Sequence, residues 1–162
     1  MIMKRIASLL GIVLASALAG CSTTPVVLGP VGPNPTGPQT RAKRGQLEVF
    51  SAMTGVAEGN NPTWYQHSDY EICRPRGEVL KYVMNSPGHY SSGPRLISLP
   101  PGEYVVKAEA KDCASVEVPV VIKPGQVTKV HLDDAWRPSA LRKTALVRLP
   151  TGNPVGWSAI AD

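Results

Sequence analysis

Residues 99–110 read LPPGEYVVKAEA, and this stretch decides the fold of the chain. The Pro-Pro-Gly triplet predicts a turn, because proline presets φ and glycine accepts conformations that other residues avoid. Apolar and polar residues then alternate, which is the two-residue period of a strand with one buried face. The face expected to be buried carries Tyr104, Val106, Ala108 and Ala110.

Similar short segments follow and precede this strand. Residues 115–123 alternate again, a Pro124-Gly125 turn follows, and residues 126–133 lead back. Pro119 lacks an amide donor, so it predicts an edge strand or a bulge. Short strands at close intervals, without a long helical period, predict an all-β sandwich. Further strands are predicted at residues 47–51, 63–73, 78–84 and 95–99, and a terminal hairpin at 145–149 and 154–159.

Two motifs carry a family resemblance. Residues 99–108 (LPPGEYVVKA) and 118–128 (VPVVIKPGQVT) resemble the closing half of carboxypeptidase-regulatory-like, transthyretin-like domains. The resemblance implies a seven-stranded prealbumin-like β-sandwich over residues 46–133, with an extra C-terminal hairpin in an extension at residues 134–162. These motifs report turn and core positions, so they imply little about function.

The amino terminus has the pattern of an export signal. Lys4 and Arg5 precede an uncharged, largely apolar run from Ile6 to Ala19. A spanning helix needs roughly 17–25 apolar residues, so this run is short for a membrane anchor. The run ends in Leu18-Ala19-Gly20-Cys21, which resembles the lipobox of bacterial lipoproteins.

That resemblance implies a signal peptide at residues 1–20 and a lipid anchor on Cys21. The expected modifications are a thioether-linked diacylglycerol on the sulfur and a fatty acyl chain, such as palmitate, on the new amino terminus. An Asp directly after the lipidated cysteine would resemble an inner-membrane retention signal, but this chain has Ser22 there. The expected location is therefore the outer membrane, facing the periplasm. An ordinary secretory signal that ends in cysteine is the alternative.

Residues 21–45 are predicted to form a tether behind the lipidated cysteine. Prolines and glycines recur through this stretch without a hydrophobic period, which favours an extended chain without packed structure. It also carries Arg41, Lys43 and Arg44. These cations could contact anionic headgroups, although a solvated charge patch is the simpler interpretation.

Two cysteines remain besides Cys21. Cys73 and Cys113 form an even pair in a chain predicted to be exported, which favours a disulfide between them. Two free thiols are the alternative interpretation. A zinc site is not expected, because neither cysteine belongs to a Cys-x-x-Cys pair.

No enzyme motif occurs in the sequence. Its histidines, His67, His89 and His131, stand outside any zinc-peptidase pattern, and there is no Gly-x-Ser-x-Gly or phosphate-binding loop. We therefore expect surface histidines, no cofactor and no metal. The net charge of +5 comes from cations scattered among acids, which does not indicate nucleic-acid binding.

Aromatic residues offer the remaining clue to function. Trp64, Tyr65 and Tyr70 lie in a polar segment, and aromatic faces beside amide and carboxylate groups suit sugar rings. The alternative is that they anchor the core. Trp136 and Trp157 are expected to cap one end of the sandwich. The resulting hypothesis is a lipid-anchored, non-enzymatic cell-envelope module with a structural or protein-interaction role and an unknown envelope partner; a glycan-binding module is the alternative.

Overall fold

The computed structural model describes residues 24–56, 59, 64–85, 93–138 and 145–160. This part of the chain is all-β, which confirms the predicted fold class, and it contains no helix long and apolar enough to cross a membrane. Its strands are β1 (Val26–Val27), β2 (Val31–Gly32), β3 (Gly45–Phe50), β4 (Met53–Val56), β5 (Trp64–His67), β6 (Tyr70–Cys73), β7 (Val79–Val83), β8 (Leu96–Leu99), β9 (Gly102–Ala110), β10 (Cys113–Ile122), β11 (Val127–His131), β12 (Leu146–Arg148) and β13 (Pro154–Ser158).

The strands form three sheets. The largest has the order β12-β13-β2-β10-β9-β6-β7, with β1 also paired to β10. A second sheet has the order β11-β3-β8, and β4 and β5 form a separate ribbon. One apolar core joins the two larger sheets, as expected of a β-sandwich. Its fully buried members include Val106, Val116 and Val118 from the large sheet and Leu47, Val49 and Val130 from the small one.

The β9–β10 hairpin forms as the alternation predicts. Val106 pairs with Val118 in antiparallel register, and both side chains are fully buried. Burying one such valine contributes roughly 1.5–3 kcal/mol. Tyr104 closes the turn, because its hydroxyl donates a hydrogen bond to the carbonyl of Pro100 at 3.0 Å.

Pro119 lies in a central strand, so the predicted edge strand or bulge at this position is wrong. On one side it pairs with Val105 of β9. On the other side, β1 ends at Val27, opposite Glu117, and β2 begins at Val31, opposite Val120. The missing donor of Pro119 therefore falls where the neighbouring strand is interrupted, and no ladder hydrogen bond is lost there.

The predicted tether at residues 21–45 is wrong for residues 24–45, which are folded onto the sandwich. Val26 and Val31 pair in parallel with β10, and Leu28 and Val31 are buried in the core. The amide of Thr40 donates to the carbonyl of Gly125 at 2.8 Å. The apolar residues between the prolines, rather than the prolines themselves, determine this arrangement. Residues 1–23, including Cys21, lie outside the described part.

The predicted C-terminal hairpin is present as β12 and β13, but it is part of the main sheet. Trp157 pairs with Gly32 of β2, and Val147 and Val155 are buried in the common core. Gly156 permits this close packing, since a Cβ there would lie 2.5 Å from the side chain of Val31. The sandwich therefore extends beyond the predicted boundaries of 46 and 133 on both sides.

The predicted disulfide is also wrong, because Cys73 and Cys113 are both free thiols in the structure. Cys73 pairs with Val105 on one side of β9, and Cys113 pairs with Ala110 on its other side. Five residues along a strand span about 17 Å. A bridge requires Cα atoms within about 7 Å, so the strand register keeps the thiols apart.

Candidate binding groove

The three aromatic residues singled out in the sequence do not form one cluster. The chain leaves the β4–β5 ribbon after His67 and enters the large sheet at Tyr70. Tyr65 is 62% exposed, whereas Tyr70 is 2% exposed and packs in the core. A stacking surface must be open, so Tyr70 cannot be a sugar contact in this fold. Trp64 belongs to β5, but its side chain lies outside the described part.

Tyr65 faces a shallow depression rather than an aromatic surface. Met53 and Ala110 supply the apolar part of its lining, and Glu109, Lys111 and Asp112 supply charges of both signs. The described lining contains a single aromatic ring, that of Tyr65. This surface therefore offers little area for stacking.

A second set of aromatic residues does converge. The ring of His131 lies between Phe50 and Trp136, with ring centroids 4.4 Å and 4.7 Å apart and both interplanar angles at 15°. Trp157 then meets Trp136 edge to face, at 5.8 Å and 76°. We call these four residues the aromatic ladder. Contacts of this geometry each add about 0.5–1.5 kcal/mol beyond the burial of their area.

Strand register builds the first half of the ladder. β3 and β11 run in parallel, and Phe50 lies directly beside His131. Both side chains project to the outer face of the small sheet, because the alternate residues Thr128 and Val130 are buried inside. Glu48 and Lys129 form the preceding pair on the same outer face.

A tight bend after β11 places Trp136 over His131. Asp134 adopts a left-handed backbone conformation with φ of 60°. The guanidinium of Arg137 donates to the carbonyl of Asp134 at 2.7 Å and to its carboxylate at 3.3 Å. These bonds close the bend around Trp136 and fix the direction of its side chain.

The ladder borders an open groove of about 580 Å³ on the outside of β11. Ligand pockets commonly enclose about 300–1,000 Å³. Residues from β11, β13 and the loops after β2, before β11 and after β11 line it, and we call it the Trp groove. Its amide, cationic and tryptophan side chains are Asn34, Gln126, Lys129, Trp136, Arg137 and Trp157.

The ionisable groups of the groove are largely compensated. Burial, together with the nearby positive charge of Lys129, lowers the pKa of His131 to about 4. Its ring is therefore neutral at pH 7 and acts as an aromatic surface. Lys129 pairs with Glu48 at 2.8 Å, and Arg137 pairs with Asp134 at 3.3 Å.

Beyond the Gln126 end of the groove lie four exposed cations, Arg41, Lys43, Arg44 and Lys123. We call them the basic cluster. The turn at Gly125 brings them together, because its amide donates to the carbonyl of Arg44 at 2.9 Å while its carbonyl accepts from Thr40. Residues 34–46 contain no acidic residue, so this end of the groove is positively charged.

The two histidines in the described part of the chain are not the surface residues that the sequence predicts. His67 is buried, with its Nδ1 2.8 Å from the carbonyl oxygen of Ser51, and His131 is half-buried in the ladder. His89 lies outside the described residues. Within the described part, no three His, Cys, Asp or Glu side chains converge as a metal site would require.

Sequence reasoning missed the groove, because its lining comes from stretches that are far apart in the chain, near residues 33–38, 126–138 and 157. One signal in the sequence points to this groove. Lys129 and His131 alternate with residues that are buried, so both lie on the outer face of the strand. For Trp136 and Trp157 the sequence predicts only a capping role. Comparison of the chain with protein-family models, with curated proteins and with solved structures finds no match.

Proposed function

We propose that this protein is a non-enzymatic module of the bacterial cell envelope that binds an envelope component in the Trp groove. The groove is the observation that carries this interaction role. The lipobox-like residues Leu18–Cys21 support attachment through a lipid on Cys21, in the outer membrane facing the periplasm. A prealbumin-like sandwich of the carboxypeptidase-regulatory-like kind is part of the proposal; the turn at Pro100–Gly102 and the turn at Pro124-Gly125 support it.

The packing of the groove favours recognition of a ligand. Trp136 and Trp157 are half-buried, and each is held by an aromatic neighbour and a fixed backbone. Side chains held in place lose little conformational entropy when a ligand binds. Tryptophan is also enriched among the residues that contribute most to binding energy. The groove is therefore better suited to binding than the depression at Tyr65.

The same geometry is unfavourable for acid–base catalysis. An effective general base has a pKa near the working pH, whereas the pKa of His131 is lowered to about 4. Lys129 and Arg137 are engaged with carboxylates. The groove residues thus offer contact area and hydrogen bonds, which is the chemistry of a binding module.

Two substitutions test the two parts of the proposal separately. Cys21→Ala should release the protein from the membrane fraction and abolish incorporation of a labelled fatty acid. Trp157→Ala should keep the lipid but lose co-sedimentation with purified, delipidated envelope fragments. Circular dichroism of the purified variant checks that it is folded. A folded Trp157→Ala protein that sediments like the parent would overturn the assignment of the groove.

The alternative function is a glycan-binding module that uses Trp64 and Tyr65. The exposure of Tyr65 on β5 is the observation that favours it. Tyr65→Ala in the same sedimentation assay distinguishes the two sites. Loss of binding in this variant, with Trp157→Ala unaffected, would place the ligand on the ribbon instead.

A further inference from the structure

We infer that the Trp groove and the basic cluster form one continuous site for an acidic polysaccharide. Sugar rings stack on Trp136 and Trp157, and sugar carboxylates reach toward the basic cluster. This inference rests on the proposed function, because it names the ligand class of the same groove. Three observations carry it: the aromatic surfaces, the hydrogen-bonding groups beside them, and the charge at one end.

The aromatic surfaces suit pyranose rings. Trp136 and Trp157 stand at 76° to each other, so they present two surfaces in different directions. Each is half-buried, which leaves part of each indole open to the groove. The face of a pyranose ring is made of C–H groups and packs on an aromatic ring, while its hydroxyl groups point sideways and need polar partners.

Such partners are present at the groove wall. The side-chain oxygen of Asn34 already accepts from the amide and the hydroxyl of Thr36, both at 3.1 Å. Its NH₂ group therefore remains as a donor at the groove wall. Gln126 supplies a second amide side chain at the same groove. An apolar surface flanked by amides discriminates for a sugar over a purely apolar chain.

The charge distribution selects an acidic polymer. Within the groove, Lys129 and Arg137 are each paired with a carboxylate. The basic cluster at the Gln126 end adds four exposed cations on segments that carry no acidic residue, 34–46 and 118–132. The guanidinium of one of them, Arg44, donates to the hydroxyl and the carbonyl of Ser98, both at 3.0 Å, and keeps its charge. Positive potential of this kind attracts anionic ligands and weakens with salt.

The distance between the two features requires an extended ligand. From Gln126, just before β11, to His131 at its end, the chain covers five residue steps, about 17 Å. A single sugar cannot contact the two indoles and the basic cluster together. A polymer with a carboxylate on recurring rings can do so.

The test uses the full lipidated protein in detergent micelles and three probes. These are polygalacturonic acid, the same polymer after chemical reduction of its carboxyl groups, and polyglutamate, which has carboxylates but no sugar ring. We expect binding to polygalacturonic acid and at least about tenfold weaker binding to the other two. Raising the salt concentration should weaken the first interaction.

Variants separate the two halves of the site. Trp157→Ala should weaken binding of polygalacturonic acid at least about tenfold, and the double variant Arg41→Gln/Lys43→Gln should reduce both the affinity and its salt dependence. Lys81→Gln, an exposed cation on β7 at the other edge of the large sheet, is the matched control and should bind normally. Circular dichroism verifies each fold.

Each contrary result has a distinct meaning. Equal binding of the reduced polymer would overturn the acidic selectivity, and equal binding of polyglutamate would overturn recognition of sugar rings. If no polysaccharide binds while Trp157→Ala still loses envelope sedimentation, the ligand class is wrong and the proposed function stands. If Trp157→Ala keeps envelope sedimentation, the proposed function itself fails.

Discussion

The fold separates one group of aromatic residues in this protein and brings another group together. Trp64, Tyr65 and Tyr70 are close in sequence, yet the chain passes from one sheet to another between β5 and β6 and separates Tyr65 from Tyr70. The aromatic ladder combines rings from three separate stretches of the chain, Phe50, His131 with Trp136, and Trp157, and its neighbouring ring centroids lie 4.4–5.8 Å apart. Proximity in sequence is thus a poor guide to a shared surface in a β fold, whereas strand register decides it.

The two groups also differ in what surrounds them. The ring of Tyr70 is enclosed by the core, and burial raises the pKa of its hydroxyl. Within the described residues this hydroxyl has no hydrogen-bond partner. The ladder rings are half-buried and border an open groove. We therefore expect the core tyrosine to control stability and the ladder to control binding.

The largest expected effect is on the core side of this comparison. Tyr70→Ala removes a fully enclosed ring, which should lower the free energy of unfolding by about 3–5 kcal/mol, through lost burial and the cavity left behind. Urea unfolding of parent and variant measures the difference. A loss below about 1 kcal/mol would mean that Tyr70 is not a core residue.

The sequence predicts the fold best where one face alternates. Val106 and Val118 lie in strands whose hydrophobic period is unambiguous, and the structure pairs them directly. This alternation is missing from residues 24–45, because β1 and β2 have only two residues each and show no period. Their proline and glycine content then dominates the prediction, although Leu28 and Val31 carry the burial.

The site was harder to predict than the fold, for a physical reason. The stacking of Phe50 on His131 depends on the parallel register of β3 and β11, which lie far apart in sequence. The position of Trp136 depends on a backbone bend with positive φ at Asp134; aspartate is a common turn residue, but it does not fix the direction in which the chain continues. Neither the non-local pairing of β3 with β11 nor this bend leaves a periodic pattern in a single sequence.

The second prediction concerns the pH dependence that His131 confers on the ladder. Its pKa is about 4 in the folded protein and near 6.5 when unfolded, so the unfolded chain binds more protons between these values. Stability is fully present above pH 6.5 and falls as the pH drops toward 4. The loss should reach up to about 3 kcal/mol. Thermal or urea unfolding across this pH range measures it.

His131→Phe is the control for that titration. Phenylalanine keeps a ring between Phe50 and Trp136 but cannot bind a proton. Carboxylates titrate in both proteins, so the difference between the two stability curves isolates His131. Parallel curves from pH 4 to pH 6.5 would contradict the burial of His131 in the ladder.

A smaller effect on stability is expected from a second substitution at Tyr70. Tyr70→Phe removes only a hydroxyl that is buried without a partner among the described residues. Because such a group costs free energy when it leaves water, its removal should leave the stability unchanged or raise it by about 1 kcal/mol. Urea unfolding beside Tyr70→Ala measures both changes under the same conditions. A clear loss of stability in Tyr70→Phe would show that the hydroxyl makes a bond.

The smallest expected effect concerns Tyr65, the exposed member of the predicted cluster. Its ring is 62% exposed, and its cross-strand partner in β4 is Gly55, which offers no side chain to pack against. Substitutions at exposed positions usually change stability by no more than about 0.5 kcal/mol, so Tyr65→Ala should unfold like the parent. It should also retain envelope binding, because the ladder and groove remain intact. Urea unfolding and sedimentation with delipidated envelope fragments test both expectations, with Trp157→Ala as the matched aromatic variant in the groove. Normal stability with lost sedimentation in Tyr65→Ala would reverse the comparison, since the binding surface would then be the ribbon rather than the aromatic ladder.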